Sequence, residues 1–487
     1  MISPPPRSMP NPVAPYIASG SAQAFELFRR ASREIAGYPE LLASRGVRVD
    51  EIRTPADLAR IPPMTKEDIA HLRAPATTVA RGRELPTMWV TSSGTSGRPT
   101  YWPRGLASLA QGEELFDRLF GARTSTGSGN TLVVVCFAMG TWTGGTYALL
   151  GLVGTRARGR DISVVTPGID LDAALDAMAT LGPLYDKVVL AGYPPYVRDV
   201  LDRAPEHVLR QNIHLFVGGE STSETWRDYV LKRIGRVTEP ARVLAGYGSS
   251  DTGFVGCETS LTVAVRRAAR TDHALATALF GRCAGDHTTM PTLVEYDPEL
   301  CFVQTDVDGY LLFTLDGITP LIRYRVNDRG EVIDSDRFAE TLRSTGHRDL
   351  ADIVPPGVGY LLMYGRTDVA AIYCSANIYP DPIRAALYDS TVSEFLSGKF
   401  ILDTIGDDHG RDTLRLRVEA RQGTASDTVP VDRVRAVVVD SLIRTNSEYR
   451  ILHERLGATA EPVIVTEPFG TAEFTPGIKH REVGTTG

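Results

Sequence analysis

The sequence predicts an α/β fold: a large N-terminal domain with parallel sheets flanked by helices, followed by a small α+β C-terminal domain. Three observations carry this expectation. From residue 131, short apolar, β-branched runs alternate with segments of helical period, the pattern of a parallel sheet covered on both faces. From Lys399 the pattern changes to strand-like runs around a single helix, as in a small α+β unit. The composition is that of a globular protein, with 487 residues, 43% hydrophobic and 23% charged, enough for two or more domains.

Residues 1–20 open with a proline-rich stretch that lacks an apolar signal segment, and read as a loose tail. Helical periodicity follows at Ala24–Ala36, and Asp50–Arg60 reads as another short helix. The apolar runs Thr131–Phe137, Ile162–Thr166, Lys187–Ala191, Ile213–Val217 and Val243–Ala245 read as strands. Leu171–Leu181, Pro195–Ala204 and Ser223–Ile234 between them read as helices. Ligands of such sheets bind beyond the carboxyl ends of the strands, which points to Phe137–Gly145, Gly192–Tyr196, Gly218–Glu220 and Gly246–Asp251. Residues 259–290 form a helix-leaning insertion, and Gly309–Thr314 and Leu321–Val326 read as strands. In the C-terminal unit, strands are expected at Lys399–Thr404, Thr413–Ala420 and Pro462–Thr466, with a helix at Val431–Leu442.

Net charge is −7, from 52 basic and 59 acidic residues, with no long basic run, so neither nucleic acid nor an anionic membrane is an expected partner. No stretch approaches the ~20 apolar residues that span a bilayer. Five scattered cysteines without a C-x-x-C pair fit reduced thiols in a cytoplasmic protein. Cys257, Cys283, His287 and Cys301 are spaced too irregularly for a zinc module, which favours buried or incidental thiols.

Thr91–Thr100 packs hydroxyls and glycines together and closes with Arg98. Glycines admit close approach of backbone N–H groups to an anion, the hydroxyls add donors, and Arg98 is a planar fork suited to phosphate. The spacing of Gly94 and Gly97 does not fit G-x-x-x-x-G-K-[ST], and a surface turn is the plain alternative.

In order along the chain, these segments resemble motifs of the adenylate-forming superfamily of acyl-CoA synthetases, and within it the phenylacetate-CoA ligase-like branch. Pro62–Asp68 resembles the segment preceding that branch's phosphate loop, and Ser92-Ser93-Gly94-Thr95-Ser96-Gly97-Arg98-Pro99 the loop itself, around the β- and γ-phosphates of ATP. Gly144-Gly145 after Trp142 matches the wall of the carboxylate pocket. Gly218-Gly219-Glu220 and Tyr247-Gly248-Ser249-Ser250-Asp251 resemble the two turns enclosing adenine. Pro320–Arg325 with Asp328 resembles the ribose motif, Gly365-Arg366-Thr367-Asp368 the domain hinge, and Gly477–Arg481 the motif carrying a catalytic lysine, here Lys479.

The resemblance implies catalytic roles for Lys479, Asp251 and Arg366, with Asp251 holding Mg2+ and Asp328 the ribose of ATP. Tyr247 offers adenine an aromatic face, and Ser250 and Thr95 can donate to phosphate. The C-terminal domain becomes a lid that rotates near Asp368, giving expected domains at 21–365 and 366–487 with the hinge at 366–368. Phe137, Met139, Trp142, Gly144, Tyr193, Tyr196 and Gly246 are the candidate pocket for a flat acid, with core packing as the plain alternative for the aromatics. For Glu220 the plain alternative is a cap on the helix starting near Ser223.

The expected activity is ATP-dependent formation of an aromatic acyl-AMP from a phenylacetate-like acid, followed by transfer to CoA. The sequence departs from the family's pattern at Arg98, where lysine is usual, and at Asp251, where glutamate is usual. The third departure is Ile372–Pro380, which lacks a basic residue and a glycine that line the pantetheine channel in relatives. That last departure motivates an alternative with an amine acceptor, or with nitrite adenylated to diazotise an aromatic amine in secondary metabolism. A non-catalytic nucleotide-binding regulator is the third reading. The expected partners are therefore a small-molecule acid or amine, and a homodimer is a further expectation.

Overall fold

The computed structural model describes residues 18–35, 37–72, 85–91, 100–121, 124, 129–141, 143–281, 290–366, 371–373, 376–406, 412–474 and 482–483. Ser92–Gly97, Arg98, Trp142, Cys283, His287, Asp368 and Lys479 lie outside the described residues.

Among the described residues, eleven strands form one large sheet. Five of them run parallel in the order Ile162–Val165, Thr131–Cys136, Lys187–Gly192, Ile213–Gly218, Val243–Ser249. The sheet then continues antiparallel through Gly253–Cys257, Thr292–Tyr296, Gly359–Arg366, Leu321–Asp334, Tyr310–Leu315 and Phe302–Thr305. The α/β class is thus observed, with a mixed sheet in which the parallel part matches the alternating sequence pattern. The strands Thr131–Cys136 and Lys187–Gly192 are buried at every position, as a strand covered on both faces must be.

Helices on the two faces follow local rules. Asp170 caps Leu171–Thr180 by accepting from the Ala173 N–H, and Leu171, Ala174 and Met178 recur at helical spacing on the buried side. Pro194 begins its helix at the first turn, where its missing N–H costs nothing. The helices Leu106–Leu119 and Ala148–Ala157 pack through small residues: a Cβ on Gly112 would stand 2.5 Å from the Tyr147 hydroxyl, and one on Gly151 2.3 Å from the Phe116 ring. Asp50–Arg60 is not one helix. It forms two 3-10 turns, Val49–Glu51 and Pro55–Arg60, because Pro55 and the Thr54 capping box start a new element. The first helix begins at Ala18, inside the stretch read as a tail.

A smaller C-terminal sheet pairs Leu396–Gly406 antiparallel with Asp412–Ala420, which in turn runs parallel to Val463–Glu467. Pro380–Ala386, Val431–Thr445 and Ser447–Leu456 flank it, and it has its own apolar core around Phe400, Leu416 and Val438. It meets the large sheet through charges as well as packing. Lys399 Nζ lies 2.7 Å from Asp199 and 3.3 Å from Glu419, all three buried. Arg198, fully buried between the rings of Tyr229 and Tyr388, donates to the Ser393 and Leu396 carbonyls. No helix among the described residues is long and apolar enough to cross a membrane.

Candidate active site

The parallel strands end on one edge, and their turns carry Phe137, Tyr193, Gly219–Glu220 and Tyr247–Asp251. Gly219 has φ 92°, a left-handed conformation that a side chain would strain. Gly248 allows two strands to touch, since a Cβ there would stand 2.3 Å from the Gly253 carbonyl oxygen. The Phe137 ring packs beside Gly144, whose Cβ position is 3.4 Å from it, and beside Gly218. Met139 packs against Gly145 and Gly168.

Two residues expected to share ATP are adjacent here. Tyr247, from the last parallel strand, donates through its hydroxyl to Asp328 Oδ2 at 2.7 Å. Arg366 is the cross-strand partner of Asp328, so the hinge motif starts beside the ribose motif. Across the same turn, the Tyr324 hydroxyl donates to Asp251 Oδ2, and Arg104 Nη2 donates to the Ser250 carbonyl at 2.7 Å and the Asp251 carbonyl at 3.3 Å. Burial pulls the Arg104 guanidinium below its ordinary value, with Tyr147 and Asp251 opposing.

Ser92–Pro99 lies outside the described residues, and the strands Met88–Thr91 and Tyr101–Arg104 flank it. Thr91 and Tyr101 are register partners of an antiparallel pair. The Thr91 N–H donates to the Thr141 carbonyl at 2.8 Å, and the Thr91 carbonyl accepts from Ser250 Oγ at 2.9 Å. Both the candidate pocket wall and the Asp251 turn therefore anchor the start of the loop.

Arg104 and Tyr324 are site residues that sequence reasoning missed. Arg104 sits in no motif. Tyr324 lies within the ribose motif, but its aim depends on an irregular strand. Arg323 takes φ 50°, the sheet register slips between Phe313 and Leu315, and Met64 hydrogen-bonds the strand on both sides of Tyr324. The Pro62–Asp68 segment thus braces the ribose strand. Replacing Tyr324 with Phe removes a hydrogen bond to a charged group, worth about 1.5–3 kcal/mol. We expect Tyr324→Phe to raise the Mg2+ concentration for half-maximal adenylation by about tenfold. An unchanged Mg2+ titration would contradict a metal role for Asp251.

Glu220 does not cap the following helix. Ser223 does so, accepting from the Trp226 N–H, and Glu220 instead accepts from the Tyr193 hydroxyl at 2.6 Å and faces Arg384. Tyr193 is thereby turned to the edge. Tyr196 is fully buried in the core under that edge, beside Cys136 and Val200, and a side chain with no exposed surface does not line an open pocket. Among the described residues no His, Cys, Asp and Glu set of three or more could hold a metal, and Cys257 and Cys301 are buried free thiols. A single carboxylate at Asp251 is compatible with Mg2+, which keeps waters and shares the phosphates of its substrate.

Near this edge, burial pushes the Glu482 carboxyl up to about 7, Arg384 opposing and Glu220 and Asp381 adding to the rise. Burial also pushes Asp199 up to about 6, against Lys399 and Arg198 and with Glu419. A carboxyl raised in the folded state stabilises below its unfolded value, and that contribution is lost as pH rises through the folded value. The contribution of these groups to the thermal transition is therefore expected to fall between about pH 4 and 7. Glu482→Gln should flatten that slope, and a slope unchanged in Glu482→Gln would contradict the assignment.

The architecture is a fold found in solved acyl-CoA ligase structures. Solved structures of 2-hydroxyisobutyryl-CoA ligase share it. In the postadenylation state with R3-HIB-AMP, that enzyme matches with TM-score 0.66 and 16% identity, over 96% of this chain and 89% of that one. With 2-HIB-AMP bound, the values are 0.66 and 17% over the same shares. In the thioesterification state, with 2-HIB-AMP and CoA, they are 0.52 and 17%, over 97% and 90%. No protein-family model and no curated protein sequence matches the chain.

Proposed function

We propose that the protein is an ATP-dependent, AMP-forming ligase that activates an aromatic, phenylacetate-like carboxylic acid as its acyl-AMP and passes it to CoA. The convergence of Tyr247, Asp328, Asp251 and Tyr324 at the carboxyl edge of a sheet with this fold carries the reading. Joining a carboxylate to a triphosphate brings two anions together, so the site must orient both and counter their charge. Tyr247 offers an aromatic face to adenine, held by its bond to Asp328, whose carboxylate can also accept ribose hydroxyls. Asp251, held by Tyr324, would hold Mg2+, which supplies positive charge at the phosphates. Phe137, Met139 and Tyr193 would border the acid.

In the same proposal Lys479 bridges the α-phosphate and the acyl oxygen, and the small domain turns about Asp368 between half-reactions. The domains would be 21–365 and 366–487, and a homodimer is compatible with this reading. An amine acceptor, or nitrite in diazotisation, is the second reading. It is favoured by the segment 371–378, in which Ala371–Tyr373 pairs antiparallel with Ala376–Ile378 and where relatives are expected to keep a glycine. Pyrophosphate release from ATP with phenylacetate or benzoate, with and without CoA, tests the choice. Turnover that needs CoA supports the first reading, and turnover that needs an added aromatic amine and no CoA supports the second.

A further inference from the structure

The turn after Ile213–Gly218 and the C-terminal residues 482–483 meet at one guanidinium. Arg384, on the helix Pro380–Ala386, has a side chain only 13% exposed. Its Nε donates to Glu482 Oε1 at 3.1 Å and lies 3.4 Å from Glu220 Oε2. Nη2 reaches the other Glu482 oxygen, so that carboxylate is gripped by both its oxygens along one edge of the fork. Nη1 pairs with Asp381 and donates at 3.2 Å to Ser221 Oγ, which itself donates to Asp381 at 2.9 Å. Tyr193, Glu220 and Ser221 belong to the large sheet's edge, whereas Asp381, Arg384 and Glu482 belong to the small domain.

Glu482 is fixed by its main chain as well. Its carbonyl accepts from the Leu402 N–H at 2.7 Å, and Val483 bridges Leu402 as a parallel partner. In sequence, Glu482 stands three positions after Lys479.

We propose that Arg384 is a positioning residue for adenylation: it clasps the small domain and residues 482–483 to the Glu220–Ser221 turn, so that the two sides of the site meet in one orientation. This rests on the adenylate-forming reading above. Three carboxylates gathered around one cation repel one another without it, and a planar fork with five donors can hold them at fixed angles where a lysine offers only a point charge. The small domain's apolar core gathers around Phe400, Leu416 and Val438, while Arg384 makes its polar contacts to Glu220 and Ser221 across the boundary with the large sheet. Arg384 touches neither the Tyr247–Asp328 pair nor the Asp251 turn, so its effect falls on the rate of adenylation rather than on ATP binding.

The experiment compares parent, Arg384→Gln, Arg384→Lys, Glu482→Gln and the Gln/Gln double variant in ATP–pyrophosphate exchange, using phenylacetate or benzoate, whichever the parent activates. Misplacement of a catalytic segment by about 1 Å costs on the order of 10²-fold, so kcat of Arg384→Gln should fall by about that factor, with KM for ATP within about twofold. Arg384→Lys should recover part of the rate, and the double variant should be no slower than the slower single one, as for two members of one unit. Equal losses in kcat and KM, full activity in Arg384→Gln, or additive losses would overturn the proposal. Hydrogen exchange at residues 218–221 and 482–483 gives a reading free of any substrate. Faster exchange there in Arg384→Gln, with the cores unchanged, supports the clasp; unchanged exchange overturns it. A parent that activates no acid, with that exchange still faster in the variant, would reject the functional reading and leave the clasp standing.

Discussion

Lys479→Ala is expected to bind ATP as the parent does and to form acyl-adenylate about 10²–10³-fold more slowly, the usual cost of removing one donor aimed at developing charge. The expectation follows from the Gly477–Arg481 motif and from the site it would complete. At the described edge the Tyr247 hydroxyl is bonded to the Asp328 carboxylate and the Tyr324 hydroxyl to Asp251, and the proposal assigns these residues to adenine, ribose and metal. The cation nearest the Asp251 turn in these contacts is Arg104, and it is spent on the Ser250 and Asp251 carbonyls. A further cation is needed where the acyl oxygen meets the α-phosphate, and Lys479 is the assigned one. Equilibrium binding of a non-hydrolysable ATP analogue together with single-turnover pyrophosphate release separates the two effects. Equal rates in variant and parent would remove Lys479 from the chemistry.

Glu258→Ala should have the largest effect on stability, about 3–5 kcal/mol by denaturant unfolding, because it strands buried cations. Glu258 and Glu224 face Arg227 and Arg266, and all four side chains are buried. Glu258 accepts two bonds from Arg227, at 2.9 and 2.7 Å, one from Arg266 at 2.7 Å, and the Ala245 N–H at 2.8 Å. The cluster thus fastens the Val243–Ser249 strand, which leads into Tyr247 and Asp251, to the helices Glu224–Arg233 and Ser260–Ala269. Burial opposes ionisation of Glu224, but Arg227, Arg266 and Arg267 outweigh it and pull its carboxyl down to about 2. Its contribution is present above its ordinary value of 4.5 and is lost as pH falls toward 2. A change below about 1 kcal/mol in Glu258→Ala, the range of surface pairs, would contradict this account.

The parallel half of the sheet was legible because its strands are buried on both faces and read as continuous apolar runs. The antiparallel half was legible only in part: Gly309–Thr314 and Leu321–Val326 read as strands and are strands, whereas Gly253–Cys257, Thr292–Tyr296, Phe302–Thr305 and Gly359–Arg366 were not read. Leu321–Asp334 runs fourteen residues but alternates into Asn327, Asp328 and Arg329, which read as a turn. The helix pair Leu106–Leu119 and Ala148–Ala157 was hidden for another reason: its close contact uses Gly112, Gly151 and Gly154, and glycine carries no apolar signal. In the site, Tyr247, Asp328 and Asp251 were found through motifs, each a short local string. Arg104 and Arg384 act across 146 and 98 or more positions of sequence, on the Ser250 carbonyl and on Glu482, and no local pattern announces them. Tyr196 was read as pocket and lies in the core, since an aromatic one helical turn into Pro194–Arg203 faces the sheet.

Acid-dependent cleavage of ATP is the most direct measurement of the central claim. Purified protein with ATP, Mg2+ and CoA is given phenylacetate, benzoate, an aromatic amine or nitrite, and the nucleotide and phosphate products are separated. The account predicts AMP and pyrophosphate in equal amounts, formed only when an acid is present. ADP with orthophosphate, or AMP formed at the same rate with no acid, would contradict it.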